Sequence, residues 1–426
     1  MRVDWRHAAR WTEKYDSAAF RAAAGRTALA LAGATRDRGR WCGVSRAAPS
    51  GNESTVAQDP ADSATRSRGD IAQARDQRAS SAAPSASRVP AAPLGLDAFV
   101  GQLRRAESYV IFGDIAVPGG IRASVAELRI AEAAAGLEAL ARANDRDANV
   151  ALARLELTCK GEEPDTQRST DAAHAEVAAR TTKVPAHMRE RIEASMAVRQ
   201  ERIAGMSTAC AQARFDSRAI SQGLQDAAAA GHEVSLWQLG NLADSEAARK
   251  YWLSAAMLGF VPAQVDLAQS LMLENSSGDR REGGAMNFWL QSAARNSPQG
   301  KLLLGECLVN SCNAQPPDMA TAGQVLREAV FLGVASAPTT LASIPADDAA
   351  APTDAEMYSF NSFLQRLNDL GCYGADLYPT NALHISDQLQ QLGLRLSPAA
   401  LEEARRLSDQ AWREHGGQAR AAWHCE

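Results

Sequence analysis

The stretch from Leu236 to Phe260, LWQLGNLADSEAARKYWLSAAMLGF, decides the fold because its pattern returns along the chain. The pattern is a pair of small residues, a glycine four residues after the first, and a leucine eight residues after the glycine. One copy runs from Ala227-Ala228 through Gly231 to Leu239-Gly240, and the next begins at Ala255-Ala256, 28 residues later. Self-similarity at a period of this size is typical of stacked structural repeats.

Two looser copies and one early echo extend the pattern. In the third copy Ser297 replaces the glycine and the leucine comes one residue early, and the fourth begins at Ala329-Val330. The echo consists of Leu140-Ala141, Asn144 and Leu152-Ala153. The positions that define the repeat are Ala227, Gly231, Leu239, Gly240, Tyr251, Ala255, Ala256, Gly259, Leu267, Trp289, Ala293, Ala294, Leu304, Gly305, Ala329 and Gly333.

Each repeat position has a physical role in a pair of helices. The small residues let two helices approach closely, and the Tyr or Trp four residues earlier fills space on the same helix face. The glycine ends the helix in a left-handed conformation that other residues resist. The leucine then begins the inward face of the next helix. Because one such unit cannot bury its apolar stripe alone, we expect the units to stack into a solenoid.

This register resembles the Sel-one-like repeat (SLR) family, a relative of tetratricopeptide arrays. The matching stretches are 236–260, 262–296 and 301–333, which carry the small–Leu–Gly and Ala-Ala-x-x-Gly positions of that motif. The resemblance implies an all-α fold, an α/α solenoid of helix pairs with flanking helical caps. It also implies a non-catalytic scaffold for protein–protein interaction, without naming the partner. The alternative is an ordinary alanine-rich helical bundle.

The composition of the chain divides it into four regions. We expect a disordered arm and linker over 1–95, because Ala48 to Pro93 has almost no large apolar residue to offset its ordering entropy. Helical periodicity begins at Leu94 and predicts an N-terminal helical region over 96–220, the repeats over 221–345 and a C-terminal cap over 346–426. Together these regions predict one elongated array with caps.

Two segments of the N-terminal helical region have local patterns of their own. Tyr109 to Phe112 is apolar enough for a short strand or for a helical lead-in segment. The alternating charges from Arg189 to Arg202 predict a solvent-exposed helix with ion pairs between residues four apart.

The charge and hydropathy of the 426-residue chain exclude two classes of partner. Its net charge is -5, which argues against a basic nucleic-acid-binding protein. It contains no apolar run approaching the roughly 18 residues of a membrane-spanning helix. We therefore expect a protein or peptide partner, no nucleic acid and no membrane span.

The cysteines fall into three neighbouring couples once Cys42 in the arm is set aside. Six cysteines allow fifteen connectivities, and locality favours Cys159–Cys210, Cys307–Cys312 and Cys372–Cys425. The alternative is buried free thiols in a cytosolic protein. Oxidised pairs favour the periplasm or cell envelope, although Thr27 to Ala34 is a poor match to a signal peptide. Otherwise the protein is cytoplasmic.

The sequence contains no set of residues that indicates catalysis. P-loop, dinucleotide-binding, zinc-protease and serine-hydrolase motifs are all absent, and the seven histidines are scattered. We therefore predict no catalytic residue, no cofactor and no metal site. Trp237, Trp252 and Phe288 are candidate aromatic anchors of a binding surface, or else inter-repeat packing residues.

Three functions remain open from the sequence. The first is a non-catalytic interaction scaffold of the bacterial cell envelope that uses a helical-repeat groove. The second is a cytosolic regulatory adaptor with reduced thiols. The third is an envelope hydrolase, for which the sequence nominates no residues.

Overall fold

The computed structural model describes residues 94–425, except 114, 162–176, 178, 182–183, 275–279 and 312–316. Residues 1–93 of the predicted arm and linker therefore lie outside the described residues. Within the described part of the chain, all regular secondary structure is α-helical, which confirms the predicted fold class.

Sixteen helices can be followed through the described residues. The first five are α1 (Leu96–Phe112), α2 (Gly119–Ala126), α3 (Ile130–Arg142), α4 (Arg146–Gly161) and α5 (Ala186–Gln212). The repeats comprise α6 (Ser217–Ala229), α7 (Glu233–Leu242), α8 (Ser245–Met257), α9 (Val261–Glu274), α10 (Arg280–Asn296), α11 (Pro298–Asn310), α12 (Met319–Phe331) and α13 (Ala337–Leu341). The last three are α14 (Asp354–Asp369), α15 (Gly374–Arg395) and α16 (Pro398–Ala422).

The helix bounds bear on two details of the sequence interpretation. Tyr109 to Phe112 is the last turn of α1, so this segment is helical and not a strand. The predicted boundary after residue 220 falls inside α6. This helix carries the small pair at Ala227 and packs on both α4 and α7, so the boundary between the two regions stays a prediction.

From α6 to α13 each helix packs on the next one along the chain. We call α7, α9, α11 and α13 the first helices, because each follows a repeat turn, and α8, α10 and α12 the second helices. The small pairs are buried where second helices meet first helices: Ala255 and Ala293 have no exposed surface. The alternation of first and second helices is the solenoid that the repeat register predicted.

The repeat glycines end the helices before them by one shared hydrogen-bond pattern. Gly231, Gly259 and Gly333 have φ angles of 77°, 88° and 85°, in the left-handed region. The amide of Gly259 donates to the carbonyl of Ala256 (2.9 Å), and the amide of Phe260 donates to that of Ala255 (3.1 Å). This is the Schellman motif, which satisfies carbonyls that the helix end leaves unpaired.

The same turn occurs at Asn144, which confirms the early echo. Asn144 has φ 65°, and the amide of Asp145 donates to the carbonyl of Leu140 (3.0 Å). The third copy ends differently. Ser297 has φ -136°, and its side chain accepts a hydrogen bond from the amide of Gly300, so it caps the start of α11. Serine replaces glycine there because the chain needs an N-cap and not a left-handed residue.

Replacing Gly231 with alanine tests the cost of the left-handed turn alone. A Cβ at this position meets no atom within 4 Å, so the backbone conformation is the only source of strain. We expect the free energy of unfolding to fall by about 1 kcal/mol, measured by urea denaturation. The control is Gly231→Asn, which should lose less because asparagine tolerates this conformation. Equal losses for the two variants would contradict the explanation.

Helices from the two regions that flank the repeats share one hydrophobic core. Phe99 on α1, Ile192 on α5 and Tyr378 on α15 belong to one hydrophobic core. The rings of Phe99 and Tyr378 meet edge to face, with centroids 4.8 Å apart. The flanking helices therefore bury part of their apolar faces against each other.

The helix over Arg189 to Arg202 is less exposed to solvent than its alternating charges predicted. Arg191 and Arg199 are buried, and α5 packs against α1, α3 and α15. The Arg191 guanidinium donates to the carbonyls of Leu94 and Asp369 and lies 4.8 Å from the Phe99 ring centroid. A buried arginine is stable here because backbone carbonyls accept its hydrogen bonds.

Candidate functional site

The repeat register gives a set of polar side chains similar positions on the first helices and on α4, which follows the turn at Asn144. Asp266 on α9 lies one residue before the repeat leucine Leu267, and Trp237 on α7 lies two residues before Leu239. Thr340 on α13 lies one residue before Leu341, the leucine eight residues after Gly333. Arg154 on α4 and Glu306 on α11 lie two residues after the corresponding leucines. Positions three or four residues apart share a helix face. We call these five residues the polar face.

Three members of the polar face form a cluster that joins α4, α7 and α9. The indole Nε1 of Trp237 donates to Oδ2 of Asp266 at 2.6 Å. The Arg154 guanidinium lies 5.1 Å from the Trp237 ring centroid, within the range of a cation–π contact. Its Nε also donates to the carbonyl of Ile111. All three side chains are half-buried.

Burial changes the ionisation of the charged members of this cluster. Burial raises the pKa of Asp266 to about 6, although the Trp237 hydrogen bond and the Arg154 charge oppose the change. Burial likewise lowers the pKa of Arg154 to about 10, and the Asp266 charge opposes that change. Desolvation therefore outweighs the attraction between the two groups.

Glu306 on α11 is a second half-buried carboxyl group, and unlike Asp266 it has no described cation that lowers its pKa. Burial raises its pKa to about 7, and among the described residues only the Thr340 hydroxyl lowers it. The one basic residue of α11, Lys301, is directed elsewhere, since its Nζ lies 2.6 Å from Oε2 of Glu328 on α12. Glu306 is thus held in a desolvated place without a cation to balance its charge.

Replacing Glu306 with glutamine is expected to change how stability depends on pH. Because its folded-state pKa lies above the unfolded value, the folded state holds this proton more tightly, and stability falls as pH rises through the interval between about 4.5 and 7. Because glutamine does not ionise, the stability of Glu306→Gln should not fall over this pH interval. We expect the variant to gain about 2 kcal/mol over the wild type at pH 8 and nothing at pH 4.5, by urea denaturation.

The control for this variant is Glu403→Gln, which removes an exposed carboxylate on α16. It should show no gain in stability between pH 4.5 and pH 8. If the free energies of unfolding of the wild type and of Glu306→Gln changed in parallel with pH, the carboxyl group of Glu306 would not be desolvated.

The three aromatic anchor candidates have different surroundings. Trp237 belongs to the cluster described above. Trp252 is half-buried, donates to Oδ1 of Asn241 at 3.1 Å, and lies so near Gly240 that a Cβ there would come within 2.5 Å of its ring. Trp252 therefore packs between α7 and α8. Phe288 is 62% exposed on α10 and meets Trp289 edge to face.

Sequence reasoning did not single out Asp266, Glu306 or Arg154. A signal for them existed in the register, because all three lie within two residues of a repeat-register leucine. Counting polar residues at those positions would have found them. Their burial and their contacts depend on neighbouring helices and were not available from the register.

The structure holds two of the three predicted disulfides. Cys159–Cys210 joins the last turns of α4 and α5, with Cα atoms 5.3 Å apart. Cys372–Cys425 joins the turn before α15 to the residues after α16, with Cα atoms 5.0 Å apart. Cys307 is also disulfide-bonded, but Cys312 lies outside the described residues, so this third pair stays a prediction.

The histidines of the described residues have structural contacts. His232 lies 2.9 Å from Oγ of Ser235 and 3.3 Å from Oδ1 of Asp147. His415 stacks on Phe331, and His424 stacks on Tyr109. In the described ranges no group of three or more His, Cys, Asp or Glu side chains is placed to hold a metal ion.

Comparison with solved structures finds proteins with a similar arrangement of helices. No protein-family model matches the sequence, and no curated protein matches it. A protective antigen of uropathogenic Escherichia coli strains, whose crystal structure displays an SLR fold, is 16% identical with a TM-score of 0.40 over 70% of this chain. The present chain spans 58% of the length of that antigen's chain.

The turns, the small pairs and the alternation of first and second helices define the architecture. The fold of the described residues is an all-α solenoid of stacked helix pairs. Within the part of the chain that the structure describes, none of these helices combines the length and apolar character needed to cross a membrane.

Proposed function

We propose that this SLR-like protein is a non-catalytic scaffold that binds a segment of another protein on its polar face. The observation that carries the proposal is the placement of Arg154, Trp237, Asp266 and Glu306, half-buried at similar register positions on the first helices and on α4. A solenoid holds such groups on rigid elements, so a partner segment binds with little rearrangement of the scaffold.

The chemistry of the polar face also supports a binding role. Tryptophan and arginine are the residue types most often found as energetic centres of interfaces. In Trp237 and Arg154 the aromatic ring and the guanidinium are already fixed by the Asp266 hydrogen bond and the Ile111 carbonyl. Groups that are ordered before binding lose less conformational entropy when a partner arrives.

Selection of peptides from a random displayed library against the full chain tests this proposal. Selected peptides should bind Asp266→Asn and Trp237→Phe about tenfold more weakly than the wild type, because each variant disturbs the polar face. The control is Phe288→Ala, which alters an exposed aromatic side chain on α10 and should leave binding unchanged. Peptides that lose affinity only for Phe288→Ala would place binding on the second helices and contradict the proposal.

We further propose that the scaffold works in the oxidising cell envelope. The bonds Cys159–Cys210 and Cys372–Cys425 support this compartment. In protein isolated from its native cells and denatured without reductant, we expect at most one titratable thiol among the seven cysteines. Six or seven titratable thiols would instead favour the cytosolic adaptor with reduced cysteines.

A further inference from the structure

A groove opens between α12 and the loop over 345–353 that leads to α14. Its volume is about 450 Å³, within the range of ligand sites in proteins, roughly 300–1,000 Å³. Ala320, Gln324 and Phe331 line it from one face of α12, since they are four and seven residues apart. Ala349 and Ala350 line it from the loop. The groove therefore presents mainly apolar surface and has room for a large side chain.

The charged side chains at the groove leave a negative charge at its loop edge. The Arg327 guanidinium donates to both carboxylate oxygens of Glu356, at 2.6 and 3.0 Å. Glu328 lies 2.6 Å from Nζ of Lys301. The loop over 345–353 contains the acidic pair Asp347-Asp348 and no basic residue. In the described part of the chain no cation forms an ion pair with this acidic pair. A ligand that combines an apolar group with a cation would suit both features.

The sequence near Met1 contains that combination twice. The segment Trp5 to Trp11, WRHAARW, begins and ends with a tryptophan, and an arginine stands beside each of them. This segment lies outside the described residues. Residues 1–93 contain 15 lysines and arginines against 9 aspartates and glutamates, a net charge of +6, whereas residues 94–426 contain 30 against 41, a net charge of -11. Opposite charges of this size favour encounter between the two parts of the chain.

The described chain begins close enough to the groove for this segment to reach it. Arg191 donates to the carbonyls of both Leu94 and Asp369, and Asp369 is the last residue of α14. The first turns of α14 adjoin the groove through Glu356, and a helix of 16 residues is about 24 Å long. Between Trp11 and Leu94 lie 82 residues, and a flexible chain of that length has an end-to-end distance of roughly 50 Å. A tether of this reach gives the segment a high effective concentration at the groove.

We propose that the segment Trp5 to Trp11 docks in the groove between α12 and the 345–353 loop, with a tryptophan between the apolar walls and its neighbouring arginine beside the Asp347-Asp348 pair. The indole gains free energy when it leaves water for apolar surface. The arginine favours this orientation because the acidic pair lies at one edge of the groove. The polar face lies on the first helices and on α4, whereas this groove lies on a second helix, so the inference does not depend on the proposed function.

Photo-crosslinking in the full chain tests the docking. The variant Ala8→p-benzoylphenylalanine keeps both tryptophans and both arginines of the segment. On irradiation it should crosslink to residues 320–331 or 347–350, identified by mass spectrometry of the digested protein. The matched control carries the same crosslinker at Ala64, in the predicted linker, and should give about tenfold fewer crosslinks to those residues. Adding Trp5→Ala and Trp11→Ala to the Ala8 variant should lower its yield by a similar factor.

A change in the groove itself supplies the second readout. Ala349 is exposed, so Ala349→Arg fills the groove and adds a positive charge without disturbing the core. We expect it to lower the crosslinking yield about tenfold. Its matched control is Ala399→Arg at an exposed position of α16, which should leave the yield unchanged.

Three results would overturn the docking. One is the absence of crosslinks to the groove, or crosslinks to other surfaces instead. Another is a yield that Ala349→Arg leaves unchanged. The last is crosslinks that join isotopically labelled to unlabelled chains in a mixture of the two, because these would assign the groove to the arm of a second copy.

Discussion

Replacing Gly300 with alanine is expected to lower the free energy of unfolding by about 3 kcal/mol. A Cβ at this position would lie 2.4 Å from the carbonyl carbon of Ala293 and 2.8 Å from its Cβ. Because these atoms belong to backbone and to a rigid methyl group, the clash is relieved only if α10 and α11 move apart. The loss should appear as a lower midpoint in urea denaturation.

The control for this variant is Gly417→Ala, which adds the same methyl group at an exposed helix position. A Cβ at Gly417 meets no atom within 4 Å. Since alanine is the better helix former, we expect this variant to gain up to about 1 kcal/mol. A Gly300→Ala variant as stable as the wild type would show that α10 and α11 are not in close contact.

Removing the Cys372–Cys425 disulfide with a double alanine variant should cost about 4 kcal/mol. The two cysteines are 53 residues apart, and the loop they close restricts the unfolded chain by that amount in the chain-entropy model. Residues next to the two cysteines also form hydrogen bonds with the fourth repeat. The indole of Trp423 donates to the carbonyl of Leu332 (3.0 Å), and the Tyr373 hydroxyl donates to that of Gly333 (2.8 Å).

The measurement is urea denaturation of the wild type and the double variant, each with and without reductant. The control is Cys42→Ala, which removes the cysteine left out of the predicted pairs and should not change stability. A double variant with wild-type stability would contradict the assignment of this bond as a structural crosslink.

The repeat turns show how far the sequence predicted the local structure. The glycine four residues after the first small residue predicted a left-handed helix end, and Gly231, Gly259 and Gly333 adopt it. The prediction succeeded because a positive φ angle is a local requirement that few residue types meet. Ser297 was the exception, and it follows a different local rule as an N-cap.

The candidate site was predicted less well, for a physical reason. Apolar positions recur with the helix period because every repeat buries them. A polar residue beside them is not required by the packing and therefore does not recur in every repeat. Asp266 and Glu306 therefore resemble any solvated acid in the sequence. Their pKa values of about 6 and about 7 arise from neighbours on other helices.

Arg191 illustrates the same limit outside the repeats. Its alternating charged neighbours predicted an exposed helix, yet carbonyls from Leu94 and Asp369 accept its hydrogen bonds in the interior. Both partners are more than ninety residues away along the chain. Charge patterning within one helix contains no information about such acceptors.

The sequence by itself determined the all-α class, the repeat register and the glycines that end three of the repeat helices, because these depend on contacts within a few turns of chain. Only the tertiary structure decided that α1, α5 and α15 share a core, and that Trp237 contacts both Asp266 and Arg154. Those contacts join residues that are distant in sequence, and their energies come from desolvation and packing, which exist only after the helices have assembled.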